Sequence, residues 1–89
     1  MLTSVFVGAG GVSPQHGIVV KSFDEAHVTR AMIAMSKKSV ILADHSKFGQ
    51  EGVMRVASIK EIDHIITDKG VNATGFRAEE FFGKLIVAK

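Results

Sequence analysis

The sequence predicts an α/β fold in which a mostly parallel sheet is flanked by helices. Short apolar runs that suit buried strands alternate along the chain with segments of helical spacing. Such alternation is typical of architectures in which neighbouring strands run parallel and helices cover the sheet. The predicted strands cover residues 3–7, 39–43, 53–57, 64–67 and 84–88, with a single helical turn at 58–61 and a short helix at 76–82.

The first predicted strand runs into a segment that favours a loop, residues 8–22. This segment begins with the glycine-rich stretch GAGG and also contains Pro14 and Gly17, which interrupt regular structure. A short extended piece is expected within it at residues 18–20.

The glycines of that stretch are candidate ligand contacts. Gly8, Gly10 and Gly11 allow the backbone to approach a ligand closely, and exposed N–H groups in such a loop suit an anion. The stretch is not a dinucleotide-binding fingerprint, because no G-x-G-x-x-G leads directly into a helix. A tight turn that needs positive φ explains the same glycines, and both interpretations stay open.

The longest predicted helix covers about residues 23–37. Ser22 and Glu25 have the S-x-x-E spacing of a capping box, in which each side chain satisfies a backbone N–H of the first turn. Apolar residues then recur at helical spacing. Lys37 and Lys38 follow, where cations favour a helix C-terminus.

A polar tip follows the predicted strand at residues 39–43. Asp44, His45, Ser46 and Lys47 come directly after three apolar residues. Ligands of open parallel sheets bind beyond the carboxyl ends of the strands, where the glycine-rich stretch also lies. The sequence therefore predicts a pocket for a small anionic ligand at this edge of the sheet.

Two residues of the tip, Asp44 and Lys47, have a proposed role, and each also has a simpler alternative. Asp44 can accept hydrogen bonds from sugar hydroxyls or loop amides, while Lys47 can contact a phosphate. Alternatively, Asp44 and Ser46 cap the turn and Lys47 is solvated. A catalytic triad is not predicted, because consecutive residues of an extended segment point to opposite sides.

Composition excludes several functional classes. With 89 residues, the chain has room for one small domain, and its 46% hydrophobic and 22% charged residues are ordinary for a soluble protein. Without cysteine, disulfides and thiol catalysis are excluded, and four histidines without H-x-H or H-E-x-x-H spacing predict no metal site. No cofactor and no membrane contact are expected, and a cytoplasmic location fits best.

Four segments, taken in order, resemble the DeoR family of bacterial transcription regulators. They are VFVGAGGVSPQHG at 5–17, FDEAHVTRAMI at 23–33, VILADHSKFG at 40–49 and EIDHIITDKG at 61–70. The resemblance implies a sensor domain with the Rossmann-like fold of ribose-5-phosphate isomerase and the related CoA transferases. It also implies that a phosphorylated sugar binds this sensor and relieves repression of sugar-metabolism genes.

The resemblance sets the expected domain organisation and partners. Residues 1–89 are expected to be the C-terminal portion of the sensor, without its first half and without the helix-turn-helix domain. DNA would then be contacted only through that N-terminal domain, which agrees with the scattered basic residues and net charge of +2. A half-sheet with an exposed edge is expected to form a homo-oligomer. The expected ligand contacts are Gly8, Gly10, Gly11, Arg30, Asp44, Ser46 and Lys47.

Two other functions are compatible with these residues. The tip at 44–47 is similar to the Asp-Glu-Ser-Lys motif of ribose-5-phosphate isomerase, with His45 in place of Glu, and Glu25 would be the base of such an enzyme. However, Val7 and Asp24 stand where that enzyme has basic residues, so no enzymatic activity is expected. The other alternative is a truncated module that only oligomerises.

Overall fold

The computed structural model describes residues 2–88, in which one α-helix and seven strands are joined by short 3₁₀ turns. The helix α1 is Phe23–Ala34. The strands are β1 (Leu2–Gly8), β2 (Gly11–Ser13), β3 (Gly17–Val20), β4 (Ser36–Leu42), β5 (Met54–Ala57), β6 (His64–Thr67) and β7 (Leu85–Val87). The 3₁₀ turns are His45–Lys47, Ile59–Glu61, Lys69–Ala73 and Ala78–Phe81.

Four of the strands form a parallel sheet in the order β1-β4-β6-β7, which confirms the predicted α/β class. In this register Gly8 lies beside Leu42, and Leu42 beside Ile66. The carboxyl ends of β1, β4 and β6 therefore meet at one edge of the sheet. The glycine-rich stretch and the polar tip follow at that edge, as predicted.

The other three strands form a separate antiparallel sheet in the order β2-β3-β5. The prediction of a long loop over residues 8–22 was wrong, because Gly11–Ser13 and Gly17–Val20 form a hairpin. The extended piece expected at 18–20 lies within β3. These strands are too short to show a periodicity, and β3 is completed by pairing with β5, far along the chain. β5 lies at the edge of this sheet, as predicted.

The start of α1 confirms the Ser22 half of the predicted capping box, and the structure records no reciprocal bond from the Ser22 backbone to the Glu25 side chain among the described residues. Ser22 has an extended backbone, and its Oγ accepts a hydrogen bond of 3.1 Å from the backbone N–H of Glu25. One of the amides that has no partner inside the helix is thereby satisfied. At 12 residues, α1 cannot span a bilayer, and no other helix described within residues 2–88 is long and apolar enough to do so.

The end of α1 differs from the prediction of residues 23–37. The helix ends at Ala34, and Ser36 already pairs with β1 as the first residue of β4. Lys37 and Lys38 are therefore exposed strand residues, not cations at a helix C-terminus. The parallel pairing of seven residues determines this boundary, and helical spacing alone does not reveal it.

A single core joins both sheets and α1. Three aromatic rings, those of Phe48, Phe76 and Phe81, pack against one another with centroids 5.5–6.2 Å apart. The helix predicted at 76–82 is only one 3₁₀ turn, after which Phe82 has φ 56° and remains exposed. The most deeply buried side chains are Val12, Ile18, Ile41, Ile62, Ile65, Val71 and Phe81.

Candidate functional site

A cleft of about 800 Å³ opens where β1 and β4 end and α1 begins. Four segments line it, namely the end of β1 with the glycine-rich stretch, the end of β3, one side of α1, and the end of β4 with the polar tip. Its polar side chains are Lys21, Asp24, Glu25, Thr29, Asp44 and Lys47, and its larger apolar ones are Phe6, Val28, Met32 and Leu42. The structure thus provides one open cavity at the predicted edge of the sheet.

Four of the predicted contact residues line this cleft, namely Gly8, Gly10, Asp44 and Lys47. The N–H of Gly10 donates a 2.9 Å hydrogen bond to the carbonyl oxygen of Val19. That amide is therefore occupied by the fold and does not offer the anion contact expected from the glycine spacing. A Cβ at Gly10 would lie 3.1 Å from Cγ of Lys21, so a side chain there would require this lysine of the cleft to shift.

The other predicted contacts, Gly11, Arg30 and Ser46, do not line the cleft. Gly11 is buried in β2, where a Cβ would lie 2.2 Å from the backbone oxygen of Gln50. The guanidinium of Arg30 turns to the second sheet and donates to the backbone oxygen of Arg55. The direction of the Arg30 side chain depends on β5, against which α1 packs. The spacing of residues along α1 does not predict this direction.

Asp44 caps the turn that carries Lys47. One of its carboxylate oxygens accepts a 2.8 Å hydrogen bond from the backbone N–H of Ser46 and another from the Ser46 hydroxyl. These two bonds, with the nearby charge of Lys47, lower the pKa of Asp44 below its ordinary value of 3.8. At neutral pH the cleft therefore holds a carboxylate at the tip of β4, next to the ammonium of Lys47.

Charged groups of both signs face the cleft. Lys21 and Lys47 supply two ammonium groups, while Asp24, Glu25 and Asp44 supply three carboxylates. Ammonium groups bind phosphate oxygens, and carboxylates accept hydrogen bonds from hydroxyl groups. The lining suits a small molecule that carries both a phosphate and hydroxyls better than it suits a simple anion.

Lys21 is a cleft residue that the sequence did not indicate. It is exposed and lies between the end of β3 and the Ser22 cap of α1. Its only local signal is its place immediately before a helix N-cap. Its position at the cleft depends on the β2–β3 hairpin, which the sequence did not predict.

Asp68, at the end of β6, contacts the polar tip from the neighbouring strand. Its two carboxylate oxygens lie 3.1 Å from the backbone nitrogen and 2.8 Å from Nδ1 of His45. It also accepts a 2.8 Å bond from the N–H of Gly70, and the bond from the His45 backbone contributes most to lowering its pKa below the ordinary 3.8. Asp68 is thus an ionised anchor for the turn after β4.

Asp44, His45 and Asp68 each place one potential metal-ligand atom within 4.8 Å of the others. The spacing of the histidines did not predict this group. All three residues are exposed or half-exposed, and hydrogen bonds within the two turns explain why they are close. The group therefore has a structural explanation that needs no ion.

The chain matches a known protein-family model. A family model described as the DeoR C terminal sensor domain matches residues 1–69. These residues include α1, the whole cleft and the anchor Asp68. The match therefore covers every element of the candidate site.

Similar curated proteins are transcription regulators. The HTH-type transcriptional repressor GlcR of Bacillus subtilis is 40% identical over 63 residues, which are 71% of this chain and 24% of the relative. The HTH-type transcriptional regulator GlpR of Haloferax volcanii is 31% identical over 83 residues, 93% of this chain and 32% of the relative. The glycerol-3-phosphate regulon repressor of Escherichia coli is 29% identical over 62 residues, 70% of this chain and 25% of the relative. The chain thus spans about a quarter to a third of the length of these relatives.

Proposed function

Because the chain belongs to the family of DeoR C-terminal sensor domains, we propose that it is the effector-sensing part of a transcription regulator of sugar metabolism. Its effector is a phosphorylated sugar, and binding of this effector relieves DNA binding by the longer regulator. The names of the similar proteins support this proposal, since they include a transcriptional repressor and a repressor of a glycerol-3-phosphate regulon.

The mixed charge of the cleft is the observation that carries the proposal. We assign the phosphate to the ammonium groups of Lys21 and Lys47, which lie on different elements and can approach one anion from two directions. The sugar hydroxyls donate to Asp24, Glu25 and Asp44. Charge-assisted hydrogen bonds of these kinds are about twice as strong as neutral ones, so a few of them can provide selectivity.

The effector would bridge two segments of the chain, the turn after β4 and the start of α1. Asp44 and Lys47 belong to the turn after β4, while Lys21, Asp24 and Glu25 belong to the start of α1. A molecule that bonds to both groups stabilises the arrangement in which they are close. A ligand with different affinities for two arrangements shifts the balance between them, and that shift is the signal passed to the rest of the regulator.

We place DNA recognition outside residues 1–89, in a helix-turn-helix domain that precedes the sensor in the longer regulator. Two of the relatives are named as HTH-type regulators, and the chain corresponds to only part of their length. The residues here form the C-terminal portion of the sensor and act in the cytoplasm, where such a regulator meets both DNA and metabolites. Within residues 2–88, β1 lies at the edge of the parallel sheet, which supports pairing with a second copy.

We propose that the cleft binds its ligand without chemical turnover. Glu25 is the candidate base of the alternative, an isomerase, and it does line the cleft. Its carboxylate lies 3.4 Å from the hydroxyl of Ser22 and belongs to the cap of α1. An assay that follows aldose and ketose phosphates by NMR separates the two functions, because conversion would favour the isomerase and unchanged substrate the sensor.

The proposal is tested by measuring the unfolding temperature of the chain with a panel of phosphosugars. The panel contains glycerol 3-phosphate, glucose 6-phosphate, fructose 6-phosphate and ribose 5-phosphate, with the parent compounds and inorganic phosphate as controls. A phosphosugar at 100 times its dissociation constant is expected to add about 2.7 kcal/mol to the free energy of unfolding, whereas its parent sugar adds nothing. Equal effects of all anions, or no effect of any, would contradict the proposal and favour a module that only oligomerises.

A further inference from the structure

The turn that carries Asp44 and Lys47 has little apolar packing to hold it in place. None of the residues His45–Lys47 is buried, and Asp44 is exposed as well. Hydrogen bonds within the turn, from Ser46 to Asp44, define its shape but not its position relative to the cleft. The flanking residues Ala43 and Phe48 are buried and hold the two ends of the turn, and a further contact holds the exposed residues between them.

Asp68 provides this contact through His45. Its carboxylate accepts from both the backbone N–H and the ring Nδ1 of His45, at 3.1 and 2.8 Å. Because an ionised carboxylate can only accept, the ring must carry a proton on Nδ1. The β6 end thus holds the β4 tip at two points.

Gly70 makes room for the ring in this arrangement. A Cβ at residue 70 would lie 2.3 Å from Nδ1 and 2.5 Å from Cγ of His45, and 2.8 Å from Oδ1 of Asp68. Any side chain there would displace the ring or the carboxylate. The N–H of Gly70 also donates to Asp68, so the same residue orients the anchor.

The ring of His45 is not part of the cleft lining, although its neighbours Asp44 and Lys47 are. We propose that His45, Asp68 and Gly70 form a clamp that positions Asp44 and Lys47 for the effector. His45 is therefore a positioning residue that acts through its neighbours, without contact to the ligand. The effect of the clamp on effector binding rests on the proposed function. The clamp itself can be measured without a ligand.

The clamp is tested with His45→Ala and His45→Asn in the 89-residue chain. Asparagine can place its Nδ2 donor near the position of the ring Nδ1, whereas alanine has no donor. The backbone bond to Asp68 is available in both variants, so the pair isolates the side-chain bond. His27→Ala, which removes an exposed histidine of α1 outside the cleft, is the matched control.

Nuclear magnetic resonance gives the first readout. In the native chain, ¹⁵N shifts of His45 should show the proton on Nδ1. Backbone order parameters of residues 44–47 should be close to the rigid value of about 0.85 in the native chain, His45→Asn and His27→Ala, and should fall below about 0.6 in His45→Ala. A ring without a proton on Nδ1, or a turn that stays rigid in His45→Ala, would overturn the inference.

Affinity gives the second readout, with the four phosphosugars of the panel as probes. The dissociation constant is expected to rise about tenfold in His45→Ala, equivalent to about 1.4 kcal/mol, and less than twofold in His45→Asn. Equal losses in both variants would mean that the ring contacts the ligand directly, which contradicts a positioning role. If the native chain binds no probe, the proposed function fails while the order parameters still decide whether the clamp exists.

Discussion

Ser39 and Asp63 exchange two hydrogen bonds at the point where the pairing of β4 with β6 begins. The backbone N–H of Ser39 donates to the carboxylate of Asp63 at 2.8 Å, and the backbone N–H of Asp63 donates to the carbonyl oxygen of Ser39 at 3.0 Å. Asp68 joins the same two strands at their carboxyl ends through His45. The two central strands of the sheet are thus connected by an aspartate at each end, and only one of these lies near the cleft.

Replacement of Asp63 by alanine is expected to lower the free energy of unfolding by about 1–3 kcal/mol, because the N–H of the buried Ser39 would lose its partner. Urea unfolding followed by circular dichroism measures this change. Asp63→Asn keeps an acceptor oxygen and should lose less. Because Asp63 lies at the end of the sheet away from the cleft, phosphosugar affinity should not change, and a large loss of affinity would argue against that separation.

Segments whose signals are local could be predicted from the sequence. The strand predicted at 64–67 coincides with β6, and Ser22 caps α1 as its spacing indicated. The polar tip after β4 was predictable because charged residues directly follow a buried apolar run. In each case the residue types within one short segment, without any distant contact, are enough for the prediction.

Features that depend on distant pairing could not be predicted. The β2–β3 hairpin consists of strands of three and four residues, and β3 is completed by β5. Lys21 reaches the cleft only because this hairpin leads into α1, and Arg30 is drawn to the backbone of β5. The cleft was therefore predicted at the right edge of the sheet with an incomplete set of residues.

Lys84 is expected to stabilise the fold as a cap for backbone carbonyls. Its ammonium nitrogen lies 2.9 Å from the backbone oxygen of Ile59, which begins the 3₁₀ turn before β6, and 2.6 Å from that of Ile62, which directly follows this turn. Lys84→Met keeps most of the side-chain length but leaves these part-buried acceptors without a donor. A loss of about 1–3 kcal/mol in the free energy of unfolding is expected in urea.

The exposed Lys60 is the control for Lys84. Its ammonium group lies 5.6 Å from the ring centroid of Phe82, a contact on the surface. Lys60→Met is expected to change the free energy of unfolding by no more than about 1 kcal/mol. Equal losses in the two variants would mean that removal of a charge, and not of the carbonyl contacts, causes the effect.

Gly17 and Gly75 allow two effects of a glycine-to-alanine substitution to be compared, namely backbone strain at positive φ and a steric clash of the added Cβ. Both have positive φ, 70° and 88°, but a Cβ at Gly17 would lie 2.3 Å from the backbone oxygen of Ala57, whereas nothing lies within 4 Å of one at Gly75. Gly75→Ala is expected to cost about 1–2 kcal/mol from backbone strain alone. Gly17→Ala should cost clearly more, or prevent folding, because β3 and β5 would be forced apart. Thermal unfolding of both variants tests this, and equal losses would show that the close approach relaxes easily.

Acid is expected to destabilise the fold through three surface carboxylates. Hydrogen bonds from neighbouring groups lower the pKa of Asp44, Glu61 and Asp68 below their ordinary values of 3.8, 4.5 and 3.8. A carboxylate with a lower pKa in the folded state stabilises that state above its unfolded pKa and loses this effect as pH falls through the folded pKa. The free energy of unfolding should therefore be constant down to about pH 5 and fall steadily below the ordinary values.

Urea unfolding at a series of pH values from 6 to 2 would measure this dependence. Asp68→Asn removes one titrating group, so its curve should be shallower in acid than that of the native chain. A native curve that is flat to pH 2, or one that rises, would mean that these hydrogen bonds are equally populated in the unfolded chain.

Replacement of Lys47 by alanine is expected to weaken phosphosugar binding without unfolding the domain. A hydrogen bond to a charged group contributes about 1.5–3 kcal/mol, so the dissociation constant should rise by roughly 10- to 150-fold. Lys21→Ala should act in the same direction, since both ammonium groups line the cleft. Lys37→Ala, which removes an exposed lysine of β4 that does not line the cleft, should leave the affinity unchanged. Calorimetric titration measures all three; if Lys47→Ala binds like the native chain, Lys47 is only a solvated side chain and the phosphate binds elsewhere.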